Sequence, residues 1–221
     1  MTDDGVQIVS PPWRMRGQGW ILPCLWRRPW LIDNGWVPAE LVDRFVGGPG
    51  ALMLVDYQEC PVGPYRELLM VPGRFRTPVG IRPSITRILV STQISVDNGR
   101  THWAIPKTLG DFAIEKTARG ERWEISEGGK PLARYELRQR GPAVPVSSRL
   151  APKSLATIAQ PSTDGWLLTR PRASGKVRWA ATDASWSDPA GFPQLEAGSS
   201  FMALRVEEFR MEFAVAQSVA D

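Results

Sequence analysis

The sequence has few of the side chains that usually bind metals. Its 221 residues include one histidine and two cysteines, Cys24 and Cys60, and it has no Cys-x-x-Cys motif. A zinc site of the usual kind needs several Cys or His ligands, so the sequence excludes one. Two thiols are also too few for a disulfide-rich secreted scaffold. We therefore expect reduced cysteines and a cytoplasmic location, with a single Cys24–Cys60 disulfide as the alternative.

Long apolar runs and blocks of like charge are also absent. Apolar runs such as residues 51–55 are far too short to span a bilayer, so we expect no membrane partner. The net charge of +4 comes from 22 arginines and five lysines that are interleaved with acidic residues. Because nucleic-acid-binding domains present clustered basic surfaces, we expect no nucleic-acid partner. Without a Gly-rich phosphate loop, we predict neither a nucleotide cofactor nor a metal.

Glycine and proline, in contrast, are abundant. They contribute 20 residues each, well above their average combined share of roughly 12%. This composition favours short strands joined by turns, and segments of alternating polarity recur along the chain. We predict a β-rich α+β fold in a single domain, residues 1–221, whose residues 1–19 form an irregular arm. The predicted strands are residues 20–26, 51–58, 65–71, 85–91, 112–117, 122–126, 132–138, 166–169, 177–180 and 201–215.

Proline and glycine also mark irregular positions within these strands. Pro23 has no backbone N–H, which places the strand at residues 20–26 at a sheet edge or at a bulge. The S-G pair at residues 174–175 is predicted to form the turn of a hairpin. That hairpin joins residues 166–169 to residues 177–180.

Two helical segments and a bulge complete the structural prediction. Residues 38–46 are predicted as a short amphipathic helix with a proline in its first turn. Residues 92–103 are polar and irregular, with room for a short helix. In the last strand the inward-facing set changes from Leu204 and Val206 to Phe209 and the alternate residues beyond it. This change of parity indicates a β-bulge.

Two motifs carry the chemistry that the composition allows. The segment G-R-T-H-W-A-I-P-K ends at Lys107, and the segment Y-R-E ends at Glu67, forty positions upstream. Burial disfavours an ammonium, so an amine in the apolar setting of Lys107 is pushed toward its neutral, nucleophilic form. A neutral amine attacks carbonyl carbons and forms a Schiff base, which is an electron sink for breaking a neighbouring C–C or C–H bond.

In this order and spacing, the two motifs resemble the acetoacetate decarboxylase superfamily. The resemblance extends from about residue 11 to residue 213 and includes a Pro-rich arm, the early helix and the long last strand. It implies a cone-shaped antiparallel β-barrel with a few short helices. It also implies a homo-oligomer that acts on a small-molecule carbonyl substrate without a cofactor, because the imine lysine supplies the electron sink.

The resemblance also implies roles for individual residues. By this resemblance Lys107 is the Schiff-base lysine, and Glu67 is the carboxylate that faces it across the pocket. We predict Tyr65, Arg100 and Trp103 as substrate-binding residues, with a core position as the alternative for Trp103.

Three departures from the decarboxylase pattern bear on the reaction. Thr108 replaces a second lysine that directly follows the nucleophile, an acid is missing from residues 51–55, and an arginine for the substrate carboxylate is missing from residues 20–24. These gaps favour aldol, retro-aldol, dehydration or cyclisation chemistry over decarboxylation of acetoacetate. The candidate substitutes for the missing arginine are Arg16, Arg27 and Arg28.

Three functions are compatible with these residues. The first is a lysine-dependent, lyase-type enzyme for a small keto acid or related carbonyl metabolite, with Lys107 as nucleophile and Glu67 as general acid or base. The second is a non-catalytic relative whose cavity binds a small molecule. The third, a Ser or Cys hydrolase, needs His102 beside a nucleophile, and the sequence has no G-x-S-x-G elbow. Otherwise His102 is a second proton carrier or a surface or capping residue.

Overall fold

Ten strands follow one another in a single curved sheet. The computed structural model describes residues 6–200 and 202–221. Residues 1–5 of the predicted arm and Phe201, the predicted first residue of the last strand, lie outside this part of the chain. Two small three-stranded sheets and a few short helices accompany the large sheet.

The bounds of the elements are as follows. The strands are β1 (Trp13–Trp26), β2 (Phe45–Gly47), β3 (Gly50–Glu59), β4 (Tyr65–Val71), β5 (Arg74–Thr77), β6 (Gly80–Pro83), β7 (Arg87–Val90), β8 (Lys107–Leu109), β9 (Asp111–Lys116), β10 (Gly120–Glu127), β11 (Lys130–Ser147), β12 (Ile158–Ser162), β13 (Gly165–Thr169), β14 (Arg172–Ser187), β15 (Gly198–Ser200), β16 (Ala203–Phe213) and β17 (Gln217–Val219). The α-helices are α1 (Arg28–Asp33), α2 (Gln93–Trp103) and α3 (Lys153–Ala156), and 3₁₀ turns cover Ala39–Arg44, Ser148–Leu150 and Leu195–Ala197.

The order of the large sheet is β8-β7-β4-β3-β1-β16-β14-β11-β10-β9, and β15 also pairs with β1. Neighbouring strands are antiparallel except β7 and β8, which are parallel because α2 connects them as a crossover. The sheet curls into a nearly closed barrel, which confirms the predicted β-rich fold with few short helices. No α-helix in the described residues is long and apolar enough to cross a membrane.

Strand β1 begins at Trp13, so the irregular arm predicted through residue 19 is wrong beyond residue 12. Trp13 and Met15 are buried and alternate with exposed arginines, as in a strand with one face toward the interior. A Cβ on Gly19 would meet the Leu54 carbonyl oxygen at 2.5 Å. The glycines that suggested an irregular arm therefore permit close approach to the neighbouring strand.

Pro23 lies in the interior of the sheet, so the prediction that it marks an edge is wrong. On one side, β1 passes from pairing with β16, at Ile21–Leu204, to pairing with β15, at Cys24–Ser200. Pro23 falls between these two pairs, where the partner strand changes and the ladder is already interrupted. A proline is tolerated at such a position because it replaces no regular ladder donor.

The S-G pair at residues 174–175 lies inside β14, so the predicted hairpin is wrong. The register between β14 and β16 shifts between Ser174 and Lys176. A Cβ on Gly175 would meet the Glu207 carbonyl oxygen and the Phe209 Cα at 3.0 Å each. Glycine therefore accommodates a bulge between two paired strands at this position, not a turn.

The bulge predicted in the last strand is confirmed in β16. The register between β1 and β16 shifts between Gly17 and Gly19, opposite Glu208, whose φ of 48° lies in the left-handed region. Because of the extra residue, Val206 and Phe209 both line the interior cavity described below, although they are three positions apart.

Both predicted helical segments are present, with a different form or length. The early segment, residues 38–46, contains a 3₁₀ turn over Ala39–Arg44 that buries Leu41. The segment predicted as irregular, residues 92–103, forms the eleven-residue helix α2. Its buried face consists largely of small and polar residues, so it lacks the apolar period by which a helix is recognised in a sequence.

A buried ion pair joins two distant strands in the apolar interior. Glu121 of β10 accepts hydrogen bonds from two nitrogens of Arg205 on β16, at 2.9 and 3.0 Å. It also accepts hydrogen bonds from the indole N–H groups of Trp20, at 2.7 Å, and Trp123, at 2.9 Å. These four donors compensate the desolvation of the carboxylate. The sequence gives no sign of this pair because its members lie 84 positions apart.

Candidate active site at Lys107

Three neighbouring strands bring Lys107 and Glu67 to one face of the sheet. Lys107 begins β8 and pairs with Ile88 of β7, and Ile88 pairs with Leu69 of β4. Glu67 lies two residues before Leu69 and therefore shares its face. The two predicted residues meet there: Lys107 Nζ lies 3.3 Å from Glu67 Oε2, and each residue has only 4% of its surface exposed.

Lys107 Nζ has three oxygen neighbours. Besides Glu67 they are Ser95 Oγ, at 3.0 Å, and the Tyr65 hydroxyl, at 3.4 Å. Nζ also lies 5.0 Å from the centre of the Tyr65 ring. The hydroxyls of Ser95 and Tyr65 accept hydrogen bonds from Nζ, and Glu67 faces it as the partner of an ion pair. The site therefore holds a buried ion pair whose members are close enough for a proton to pass between them.

Helix α2 supplies the surface along which the Lys107 side chain lies. Ser95, Gly99 and Trp103 recur every fourth residue and therefore share one face of the helix. A Cβ on Gly99 would meet Lys107 Cδ at 2.5 Å and Cε at 2.8 Å. Glycine thus leaves the space that the lysine stem occupies. Ser95 was not among the predicted site residues, and the four-residue spacing in this segment is the signal that would have identified it.

The chain between α2 and β8 is fixed by backbone and side-chain hydrogen bonds. Ala104 ends the helix with a left-handed φ of 51°, and the N–H groups of Ala104 and Ile105 bond the carbonyls of Arg100 and Gly99. Arg100 is exposed, and its Nε donates to the Lys107 carbonyl at 2.8 Å. Contrary to the prediction that it binds substrate, Arg100 does not line the pocket and instead fixes the backbone of the lysine.

Two tyrosines stack beside the ion pair. Tyr57 of β3 and Tyr65 of β4 are cross-strand partners, and their ring centres lie 4.6 Å apart. Burial, and then the charge of Glu67, raise the pKa of both hydroxyls well above the usual value. Both hydroxyls therefore stay protonated near neutral pH and can donate a hydrogen bond to an oxygen in the cavity. Tyr65 was among the predicted site residues, whereas Tyr57 was not.

We expect the native protein to form no tyrosinate near pH 10. Burial raises the pKa of all three tyrosines of the chain, including Tyr135. An unfolded chain ionises its tyrosines at about pH 10, so above that pH the unfolded state releases protons that the native state keeps. The free energy of unfolding is therefore unaffected by these tyrosines below about pH 10 and falls as the pH rises above it. Each tyrosine lowers it by about 1.4 kcal/mol per pH unit.

Ultraviolet absorbance of tyrosinate, recorded against pH with and without denaturant, tests this expectation. The denatured chain is the control and titrates near the ordinary pKa. A native protein that titrates with it would show that at least one of these hydroxyls is accessible.

Thr108 points away from Lys107, as expected for consecutive residues of a strand. Its hydroxyl accepts a hydrogen bond from Arg87 at 3.0 Å and lies 3.0 Å from Glu127 Oε1. Arg87 and Glu127 also form an ion pair. The residue that replaces the second lysine of the decarboxylase pattern therefore ties β8 to β7 and β10, and it has no contact with the pocket.

Lys107 and Glu67 line an interior cavity of about 290 Å³. They are the only charged side chains among the described residues that line it. Trp103 is part of the wall, consistent with its predicted place in the pocket, whereas His102 is not. The rest of the lining is almost entirely apolar, and its largest members are Trp13, Trp20, Trp103, Phe209 and Phe213.

The groups missing from the decarboxylase pattern are not replaced in this cavity. Arg16, Arg27 and Arg28 are exposed and do not line it, so the predicted substitution for the missing arginine is wrong. Met53 and Val55 line the wall on β3, where the pattern has an acid. A substrate carboxylate would therefore find no arginine in the described lining.

The two cysteines are free thiols, so the alternative of a Cys24–Cys60 disulfide is wrong. Burial raises the pKa of Cys24 to about 12 and also raises the pKa of Cys60. Neither thiol is therefore activated as a nucleophile. Within residues 6–200 and 202–221, no group of three His, Cys, Asp or Glu side chains is placed to hold a metal ion.

The molecule is thus a curled β-barrel with a buried lysine–glutamate pair in an apolar cavity. No family model matches its sequence, and no curated protein matches it either. Solved structures match its fold. The acetoacetate decarboxylase from Legionella pneumophila has a TM-score of 0.72 at 11% identity, with 100% of this chain and 94% of that chain covered.

Two further structures have the same fold. The enduracididine biosynthesis enzyme MppR, in complex with the condensation product of pyruvate and imidazole 4-carboxaldehyde, matches with a TM-score of 0.64 at 13% identity, covering 98% of this chain and 92% of that one. An acetoacetate decarboxylase-like enzyme from Sphingomonas wittichii RW1 has a TM-score of 0.62 at 12% identity, and the match covers 96% of this chain and 95% of that chain. The chain therefore has the acetoacetate decarboxylase fold, as the two motifs predict.

Proposed function

We propose that the protein is a lyase-type enzyme that forms a Schiff base between Lys107 and a carbonyl metabolite. The observation that carries this proposal is the burial of Lys107 beside a carboxylate: the other four lysines are exposed. A buried lysine is unusual and needs a compensating reason. Its position in a cavity, 3.3 Å from Glu67, supplies both a nucleophile and a proton carrier.

The proposed first step conserves the charges of the site. Glu67 takes a proton from the Lys107 ammonium, and the neutral amine attacks the carbonyl carbon to form a C–N bond. The electron pair of the carbonyl moves to its oxygen, which receives the proton from Glu67. A second proton passes from nitrogen through the carboxylate to this oxygen, which leaves as water. An ammonium and a ketone thus yield an iminium and one water, and Glu67 remains the counterion.

The second step uses the iminium as an electron sink. A C–H or C–C bond next to the iminium carbon breaks, and its electron pair moves to nitrogen to give an enamine. Glu67 is placed to remove the proton in the C–H case. The described lining of the cavity offers no arginine to a carboxylate, which supports aldol, retro-aldol or dehydration chemistry over decarboxylation. The complex of MppR with a condensation product of two carbonyl compounds is consistent with this class of reaction.

A non-catalytic binding protein is the second candidate. The almost wholly apolar lining of the cavity favours it, because such a lining binds small apolar molecules without any reaction. In that case Lys107 would serve only as the partner of Glu67.

Borohydride trapping distinguishes the two candidates. We expect incubation with short ketones and aldehydes, followed by reduction, to add one ligand mass to the protein, and peptide mapping to place it on Lys107. Lys116→Ala, which removes an exposed lysine, is the matched control and should trap normally. Adducts spread over the exposed lysines, or no adduct despite reversible binding, would favour the non-catalytic candidate.

A further inference from the structure

Apart from the tryptophan indoles, the polar side chains in the described lining of the cavity lie on β3, β4 and β8, the strands that carry the ion pair and the strand next to β4. Tyr57 lies on β3, Tyr65 and Glu67 on β4, and Lys107 on β8. The lining contributed by β14 and β16 is apolar throughout, for example Ala173 and Met211. In the sheet order β14 is separated from β4 by the three strands β3, β1 and β16. The cavity thus has a reactive side and an apolar side.

The division of the cavity into a reactive side and an apolar side favours neutral carbonyl compounds over those that carry a carboxylate. A ligand carboxylate would lie among apolar side chains without a cation, because Lys107 becomes the iminium and remains paired with Glu67. An unpaired buried charge loses its hydration without compensation, and a second anion near Glu67 is also repelled. A hydrocarbon chain, in contrast, gains free energy from burial against the same wall.

We propose that the substrate is a neutral ketone or aldehyde whose apolar body extends from Lys107 to the wall formed by β14 and β16. The identification of the reacting carbonyl rests on the proposed function; the apolar character of the ligand rests on the lining alone. A cavity of about 290 Å³ lies at the small end of the volumes usual for small-molecule sites, about 300–1,000 Å³. This size matches a medium-chain or monocyclic carbonyl compound, which belongs to the related carbonyl metabolites predicted from the sequence and not to the small keto acids.

Ala173 is the residue that we expect to limit the length of the ligand. It is the smallest side chain on the apolar wall and is contributed by β14, far along the sheet from Glu67. Its neighbour Ser174 is exposed and faces away from the cavity. A bulky side chain at position 173 therefore shortens the cavity, whereas the same side chain at position 174 leaves it unchanged.

Two series of probes and one single compound test the proposal on the wild-type protein. The series are the ketones from 2-butanone to 2-octanone and the 2-oxo acids of equal chain length, and the single compound is 2-octanol, which cannot form an imine. We expect the apparent affinity in borohydride trapping to rise about fourfold per methylene in the ketone series. The 2-oxo acids should trap at least about tenfold less well at equal length. We expect 2-octanol to compete with 2-octanone and to change the tryptophan fluorescence.

The outcomes separate the two proposals. If the 2-oxo acids trap as well as the ketones, or chain length has no effect, the substrate class is wrong while the Schiff-base function stands. If no carbonyl compound traps but 2-octanol binds, the apolar ligand class stands and the Schiff-base function is wrong. If neither traps nor binds, both are overturned.

A pair of variants tests the place of the hydrocarbon chain. Ala173→Phe should reduce the trapping of 2-octanone about tenfold and leave 2-butanone nearly unaffected, whereas Ser174→Phe should change neither. Equal loss for both ketones in Ala173→Phe would overturn the assignment of β14 as the far wall. If Ala173→Phe does not fold, Ala173→Val gives the same comparison with a smaller effect.

Discussion

Replacing Lys107 with methionine is expected to abolish all borohydride-trapped adduct and to lower the free energy of unfolding by about 3–5 kcal/mol. The chemical loss follows because the other four lysines are exposed and lie outside the cavity. The loss of stability follows because methionine matches the stem of lysine but leaves Glu67 buried without its cation. Trapping by mass spectrometry and chemical denaturation measure the two effects separately.

The double variant Lys107→Met/Glu67→Gln provides the decisive control. Replacing both members of a buried ion pair by uncharged side chains is often neutral or stabilising, whereas removing one member is costly. We therefore expect the double variant to regain at least the stability of the wild type and to remain unable to trap ketones. If the losses of the two single variants simply added, the pair would not be coupled, and the proposed exchange of a proton between them would lose its basis.

This comparison bears on why the pair is present. If an uncharged pair is at least as stable, stability does not require a lysine and a glutamate in an apolar cavity. A chemical or binding role then remains as the reason for both residues. The trapping experiment decides between those two roles.

The features predicted from the sequence are those that depend on local pattern or on chemistry at fixed spacing. The strand that contains Glu67 is found with the predicted bounds, because apolar residues fill it and turn residues flank it. The change of parity after Val206 is visible in the sequence because a bulge reverses which residues face inward. The pairing of Lys107 with Glu67 was predicted from the resemblance of the two motifs to the acetoacetate decarboxylase superfamily, and the two residues do meet in the structure.

The features that were missed depend on partner strands that a single sequence does not reveal. Pro23 and Gly175 have the chemistry of an edge and a turn, but their neighbours in the sheet make one an interior residue and the other a bulge. Arg100 belongs to the motif but contributes a hydrogen bond to the backbone of Lys107. Ser95 contributes to the site only because α2 is a helix. The homo-oligomer and the cytoplasmic location stay predictions.

Gly99 allows the role of this helix to be tested with one added methyl group. We expect Gly99→Ala to slow ketone trapping about 100-fold, because small displacements of a reacting group have effects of this size. The new Cβ would lie 2.5 Å from Lys107 Cδ, so the lysine stem must move and carry Nζ away from Glu67 and Ser95.

The stability of this variant distinguishes displacement of the lysine from unfolding. Alanine favours a helix over glycine by about 1 kcal/mol, which offsets part of the cost of displacing the lysine, so we expect a protein that still unfolds cooperatively, with a smaller loss of stability than Lys107→Met, together with the loss of trapping. Thr101→Ala, on the exposed surface of the same helix, is the matched control and should retain the wild-type rate. A normal rate in Gly99→Ala would mean that the lysine reaches the carbonyl by a path that does not follow α2. In that case Gly99 would have no effect on the reaction. Of the first two residues of the motif, only Arg100 would affect it, through its hydrogen bond to the Lys107 carbonyl.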